Sequence, residues 1–161
     1  MQKASEILLR PASIVDFNVM CEVELNHENK DYTTLEMPDV NDIRAFLLAG
    51  QNIHKDCQIR YAVIHQGIAI GFVDLSDVLF TEQSAAVGVY ILKHFRDSGF
   101  AKQALSLLKS IALENGIYLL VAEVKPSNIS SIKLFLAAGY DEVHPNHDFR
   151  RFEFKIPTEA K

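Results

Sequence analysis

The sequence predicts one domain of mixed α/β (α+β) class, with a central sheet of about six to seven strands and about four helices. Three observations carry that expectation. Two short apolar runs, 87–92 (VGVYIL) and 119–124 (LLVAEV), are separated by one long helical pattern, and a crossover helix of that length makes the strands parallel. Residues 58–92 read as an antiparallel meander of three strands. The chain has 161 residues, 48% apolar and 23% charged, which suits a single core burying roughly 70% of the unfolded surface.

Each element follows from local pattern. Residues 6–10 (EILLR) form a short first strand that Pro11 breaks. A helix spans 13–24, capped by Ser13, with Ile14, Phe17 and Cys21 on one face. The polar stretch 26–40 is a loop holding His27, Glu28, Lys30, Asp31, Tyr32 and Glu36. Asp39 or Asn41 caps a second helix through Leu48, which Gly50 stops, with Ile43, Phe46 and Leu47 inward. Residues 58–65 alternate as a strand, with Ile59, Tyr61 and Val63 on one side. Gln66-Gly67 turns the chain into the partner strand 68–76, where Gly71 marks a bulge or a close backbone approach. A turn over 77–83 leads into the strand 84–92. After a polar connection over 93–97, Ala101, Leu105, Leu108 and Ala112 recur at helical spacing, widened by Ala104 and Ile111, until Asn115-Gly116. Pro126 and Ser127 start a further helix that Gly139 ends. Residues 141–144 and 149–156 are the last strands, joined by a loop over 145–148.

Composition narrows the function. A net charge of −5 and no cluster of Lys and Arg argue against nucleic acid as a partner. No apolar run approaches the length of a membrane span, and no basic-then-apolar leader opens the chain. Cys21 and Cys57 stand far apart and outside any C-x-x-C motif, which fits a reducing cytoplasm. Six histidines show no metal spacing, and His144-x-x-His147 falls in a Pro-Asn loop, so no metal is expected.

The connection before the long helix is where chemistry becomes possible. Arg96, Asp97, Ser98, Gly99, Phe100 and Ala101 sit at a helix N-terminus, where unpaired amides favour an anion. Gly99 and Ala101 are small enough for close approach, and Arg96 adds a planar cationic fork suited to phosphate. A pyrophosphate fits there. Neither G-x-x-x-x-G-K-[ST] nor G-x-G-x-x-G is present, so P-loop and dinucleotide fingerprints are excluded. The same residues also fit an ordinary strand-to-helix turn carrying a surface arginine.

Arg96-x-x-Gly99-x-Ala101 resembles the [RQ]-x-x-G-x-[GA] motif of the GNAT superfamily of acetyl-coenzyme A dependent N-acetyltransferases. Glu123-Val-Lys-Pro-Ser-Asn128 resembles the family's E-V-x-x-x-N segment. Asn128, Ser131, Leu134-Phe135 and Gly139-Tyr140 match its N-x-x-[AS]-x-x-L-[YF]-x-x-x-G-[FY] helix. Leu9-Arg10-Pro11-Ala12-Ser13-x-x-Asp16-Phe17 looks like the family's opening strand and helix. Glu24-Leu-Asn26 resembles an element of the branch of polyamine and ribosomal-protein acetyltransferases, where it lies near the substrate; Glu24, Asn26 and Glu28 are therefore the substrate-binding candidates. Solvated helix-end and loop charges are the competing explanation of those three.

The resemblance implies a GNAT-type fold in which the strand ending at Ile91 splays from the strand carrying Glu123. It implies direct acetyl transfer from acetyl-coenzyme A to a primary amine, with the pantetheine arm in that gap near Val89 and Ile91. A free amide there would stabilise the oxyanion. Arg96 to Ala101 would hold the pyrophosphate, with Asn128, Ser131 and Phe135 along the same site. A lysine-like amine costs about 4.6 kcal/mol to deprotonate at pH 7, so a base is needed. Glu123 is the candidate, since burial in LLVAEV would raise its pKa. An outward-facing strand carboxylate beside Lys125 is the alternative. Where many relatives carry a Tyr as acid to the leaving thiolate, this chain has Phe135. Coenzyme A's thiol, if like cysteine near 8.5, is a fair leaving group, and a water or Tyr90 is left for that part. The acceptors left open are a small or peptidyl amine and an amino sugar; a coenzyme A sensing module without transfer is the reading of another class. A homodimer through a strand edge or the C-terminal strands is a further implication of the family.

Overall fold

The computed structural model describes residues 6–25, 39–144 and 148–158. Seven strands form one sheet in the order β1-β2-β3-β4-β5-β7-β6: β1 Ile7–Pro11, β2 Ile59–His65, β3 Ile68–Leu79, β4 Ser84–Ile91, β5 Leu119–Val124, β6 Asp141–Val143 and β7 Arg150–Lys155. Among the described residues five α-helices accompany them: α1 Phe17–Glu24, α2 Val40–Ala49, α3 Ile53–Asp56, α4 Phe100–Glu114 and α5 Ile129–Ala137. β4 and β5 run parallel, and every other neighbouring pair is antiparallel. The mixed α/β class expected from the sequence is the one observed.

The sheet has a core on each face. The amphipathic stripe of α4 (Ala104, Leu105, Leu108, Ala112) and α5 (Ile132, Phe135) packs with Val63, Ile70, Val73, Leu75, Leu120 and Ala122 on one side. Met20 and Val23 of α1 and Ile43 and Leu47 of α2 pack with Ala62, Ile64 and Phe72 on the other. β2 therefore buries both of its faces, and the alternation read from Ile59, Tyr61 and Val63 marks which core a residue joins rather than inside against outside.

Several boundaries move. Pro11 does not break β1 but ends it, pairing with Tyr61 at the sheet's edge, where a missing amide costs nothing. The first turn after Ser13 is a 3₁₀ turn, Ile14–Asp16, so Ile14 is exposed, while Phe17 and Cys21 pack half-buried beside the buried Met20 and Val23. α3 was not legible in the sequence; Asn52 caps it by accepting from the amides of His54 and Lys55. β3 continues through the expected turn to Leu79 by way of an irregularity between Ser76 and Leu79. β6 stops at Val143.

Gly71 meets both halves of its expectation. The β2 register slips between Val63 and Ile64 opposite it. A Cβ there would lie 2.1 Å from the Tyr90 carbonyl oxygen, so only glycine allows β3 to press this closely on β4.

The turn between β1 and α1 is pinned by Asp16, 2% exposed. Its carboxylate accepts from Arg10 Nη1 and Nη2 at 2.7 and 2.8 Å and from the Ser13 amide at 2.9 Å. Burial pushes this carboxyl up, but the Arg10 fork, the Ser13 amide and the Arg10 charge outweigh it and hold it below the usual range. A depressed folded-state pKa stabilises the fold above the unfolded value of about 3.9 and loses that contribution as pH falls through the folded value. Asp16→Asn is therefore expected to lower unfolding free energy by about 2 kcal/mol at pH 7. It should also flatten the decline in stability below about pH 4. Urea denaturation of both proteins across pH 7 to 3 checks this.

Candidate active site

Parallel pairing of β4 with β5 covers only Ser84, Ala85 and Ala86 against Leu119, Leu120 and Val121. Beyond that point the strands are held by different partners. β4 stays with β3 as far as Ile91 opposite Gly71, whereas β5 stays with β7 as far as Val124 opposite Arg150. The result is a wedge in which Val87 to Ile91 on one wall and Ala122 to Val124 on the other are not paired with each other. It opens into a cleft of about 1550 Å³ that runs from α1 and α2 to the N-termini of α4 and α5.

At one end stands the turn before α4. A 3₁₀ turn, Lys93–Phe95, leads from β4 into Arg96 in extended conformation, then Asp97 at φ 63° and Gly99 at φ 82°. No atom lies within 4 Å of a Cβ at Gly99, so this glycine is there for its left-handed backbone, not only for space. The first backbone bond of α4 runs from the Gln103 amide to the Gly99 carbonyl, which leaves the amides before it outside the helical ladder. Gly99, Ala101 and Asp97 line the cleft, while Ser98 is exposed beside it. Phe100 is 7% exposed and its ring packs 4.6 Å from that of His65, so its main chain is the part that can serve an anion. Arg96 folds back rather than standing clear. Its Nε donates to the Ile91 carbonyl at 2.9 Å, and its guanidinium lies 5.0 Å from the centre of the Tyr90 ring.

The other side of the cleft is α5. Asn128 caps it, its side-chain oxygen accepting from the Ser131 amide at 3.3 Å. Both residues line the cleft. Phe135 also borders it but is 4% exposed and packs edge-on to Tyr140 at 5.0 Å. Burial pushes the Tyr140 hydroxyl far up, so this neighbouring phenol is held neutral.

Burial of Glu123 is overturned. Its side chain is 43% exposed, and Arg151, directly opposite on β7, donates from Nη1 to Oε1 at 3.3 Å. The apolar run conceals this because Leu120, Ala122 and Val124 face α4 and α5, while the intervening residues face the other way. Glu123 nevertheless lines the cleft, as do Tyr90, Val89 and Ile91.

Glu24 reaches the cleft from the end of α1. Asn26 and Glu28 lie outside the described residues, as does His147. Sequence reasoning missed Arg60 and Asp74, which face each other on β2 and β3 beneath Glu24. The signal available was Arg60 and Asp74, each set within a largely apolar run. Among the described residues no group of three or more His, Cys, Asp and Glu could hold a metal. No helix among them is long and apolar enough to cross a membrane.

Residues 6–141 match the family described as acetyltransferase (GNAT) domain. Aminoglycoside N(6')-acetyltransferase type 1 of Salmonella typhimurium is 29% identical over 106 residues, 61% of this chain and 73% of that protein. Spermidine N-acetyltransferase from Vibrio cholerae, solved in complex with CoA and spermine, superposes with a TM-score of 0.79 at 19% identity, covering 92% of this chain and 95% of that one. Ribosomal-protein-alanine N-acetyltransferase from Brucella melitensis superposes with a TM-score of 0.73 at 18% identity, covering 92% and 99%. These two solved structures share the fold.

Loss of the α5 cap separates folding from binding at this end of the cleft. Asn128→Ala is expected to lower stability by about 1 kcal/mol, and Asn128→Asp, which keeps an accepting oxygen, to retain most of it. Thermal melts of the two variants beside the parent measure the difference.

Proposed function

We propose a reaction course from one premise: the chain belongs to the GNAT acetyltransferase family and is an acetyl-CoA-dependent N-acetyltransferase. In this course one domain carries an acetyl group directly from the thioester to a primary amine, with no covalent enzyme intermediate. The observation that carries it is the wedge between β4 and β5, open from Val87 and Ala122 onward. Unpaired main-chain groups inside a cleft call for a partner, and an amide-bearing arm supplies one.

The residues present fit the cosubstrate. The main chain of Asp97, Ser98, Gly99, Phe100 and Ala101 would hold the pyrophosphate at the positive end of α4. Arg96, anchored on the Ile91 carbonyl, would brace that turn against β4 and add its charge. Asn128 and Ser131 border the same space, and Val89 and Ile91 offer backbone to the arm. Acetyl-CoA supplies the activated acetyl group. An amide of β4 in the wedge stabilises the negative charge that develops on the thioester oxygen.

Glu123 takes the ammonium proton, directly or through a water, and its exposure lets it pass the proton on. The acid's part falls to Tyr90 or a water, because Phe135 has no proton to give and is buried. A cationic acceptor is supported by Glu24 at the far end of the cleft. A polyamine or a peptide amine suits that charge; an aminoglycoside, the acceptor in the name of the Salmonella relative, is the alternative. We place the reaction in the cytoplasm. The edge strands β1 and β6 are where two copies would pair.

Thiol release from acetyl-CoA across a panel of polyamines, peptides with free N-termini and aminoglycosides tests this reading. Turnover with at least one amine is expected. Coenzyme A binding without turnover across the panel would replace the enzyme with a sensor. Glu123→Gln is expected to lower kcat at pH 7 by about 10² or more while leaving the KM for acetyl-CoA unchanged. Steady-state kinetics at saturating amine reads both.

A further inference from the structure

The sheet register places a row of residues across the cleft floor. Arg60 on β2 pairs with Asp74 on β3, and Asp74 with Gly88 on β4. Ala86 is level with Val121, so continuing both strands by two residues brings Gly88 level with Glu123 across the wedge. Asp74 shares its face of the sheet with Phe72, two residues before it, which packs in the core under α1 and α2. The row therefore lies on the face opposite α4 and α5.

Arg60 is held on every side. Its Nε and Nη2 donate to the two oxygens of Asp74 at 2.7 and 2.9 Å. Its guanidinium lies 5.4 Å from the centre of the Phe72 ring. Gln51 clamps its main chain, accepting from the Arg60 amide at 2.6 Å and donating to its carbonyl at 2.9 Å. Burial opposes the Arg60 charge, but Asp74 and Glu24 more than restore it. The remaining donor, Nη1, bonds Oε1 of Glu24. Both oxygens of Asp74 are thus engaged, whereas Oε2 of Glu24 makes no hydrogen bond among the described residues. The three side chains are 23–26% exposed, line the cleft, and together carry one net negative charge. A Cβ at Gly88 would come within 3.3 Å of Asp74 Oδ2, so glycine leaves the floor open between this triad and Glu123.

We propose that Arg60, fixed by Asp74 and Gln51, is a positioning residue that aims the Glu24 carboxylate at a cationic amine acceptor lying over Gly88. This inference rests on the acetyltransferase reading and adds the residues that select the acceptor. The rigid guanidinium fork sets the direction of Glu24, and the unbalanced charge favours a substrate with an ammonium group beyond the one that reacts.

The test uses the full chain, acetyl-CoA and the amine panel above, continuing with the amine turned over fastest. Glu24→Gln is expected to raise that amine's KM about tenfold, with the KM for acetyl-CoA unchanged. Asp74→Asn should shift the amine's KM in the same direction, and the double variant should show little further rise, since Asp74 acts through Glu24. Added KCl should raise the amine's KM in the parent and hardly in Glu24→Gln. Should Asp74→Asn melt too early for kinetics, Glu24→Gln and the salt series decide alone. An amine KM within twofold of the parent in Glu24→Gln, or an equal rise for acetyl-CoA, overturns the triad's role and leaves the acetyltransferase standing. No thiol release with any amine overturns both.

Discussion

The parallel ladder between β4 and β5 stops at Ala86 and Val121, and the site follows from that stop. It is enforced from both flanks. Gly71 lets β3 lie hard against β4 near Tyr90 and Ile91, and the Leu92 amide donates to the Ile70 carbonyl at 2.8 Å, so the end of β4 belongs to β3. β5 is paired over its whole length with β7. Two rigid sheet halves that twist apart expose main-chain donors and acceptors in a cleft, an arrangement a fold tolerates where a ligand or water completes it.

The same divergence decides what each face of the sheet does. Behind it, α4 and α5 fill one core, and their N-termini with the Gly99 turn and the Asn128 cap come together at the mouth of the wedge. In front of it, α1 and α2 leave the strip bearing Arg60, Asp74, Gly88 and Tyr90 open to the cleft. In the proposed reaction an anionic cosubstrate and a cationic acceptor would take opposite ends of one opening. That separation suits direct transfer, since neither charge has to pass the other.

Much of this was legible in the chain, and the residues say why. The α4 stripe, the Gly99 turn and the Asn128 helix start are local devices, written in spacing and in one residue's backbone needs. Gly71 announced its close approach because no other residue type permits it. What escaped depends on pairing across distance. Glu123 read as buried because its neighbours are apolar, yet strand alternation turns it to the side where Arg151 and solvent are. Arg60 and Asp74 lie 14 residues apart and gain meaning only once β2 and β3 are in register. α3 is four residues long, too short for periodicity to show.

Two carboxylates of the cleft are built on one plan, and the difference between them supports the separate roles proposed for them. Glu24 and Glu123 each accept from an arginine Nη1 through Oε1, and each arginine is itself anchored by a second carboxylate, Asp74 for Arg60 and Glu153 for Arg151. Exposure then separates them. Glu24, 26% exposed beside a doubly bonded arginine, is placed to hold a standing charge where water screens it less. Glu123, 43% exposed and bonded to Arg151 at 3.3 Å, would in the proposed reaction be able to release a proton to solvent after each turnover. A base that must be reset every cycle gains from that access, whereas a binding carboxylate loses by it. Gly88, level with both rows and bare of side chain, is where an amine held by one would meet the other.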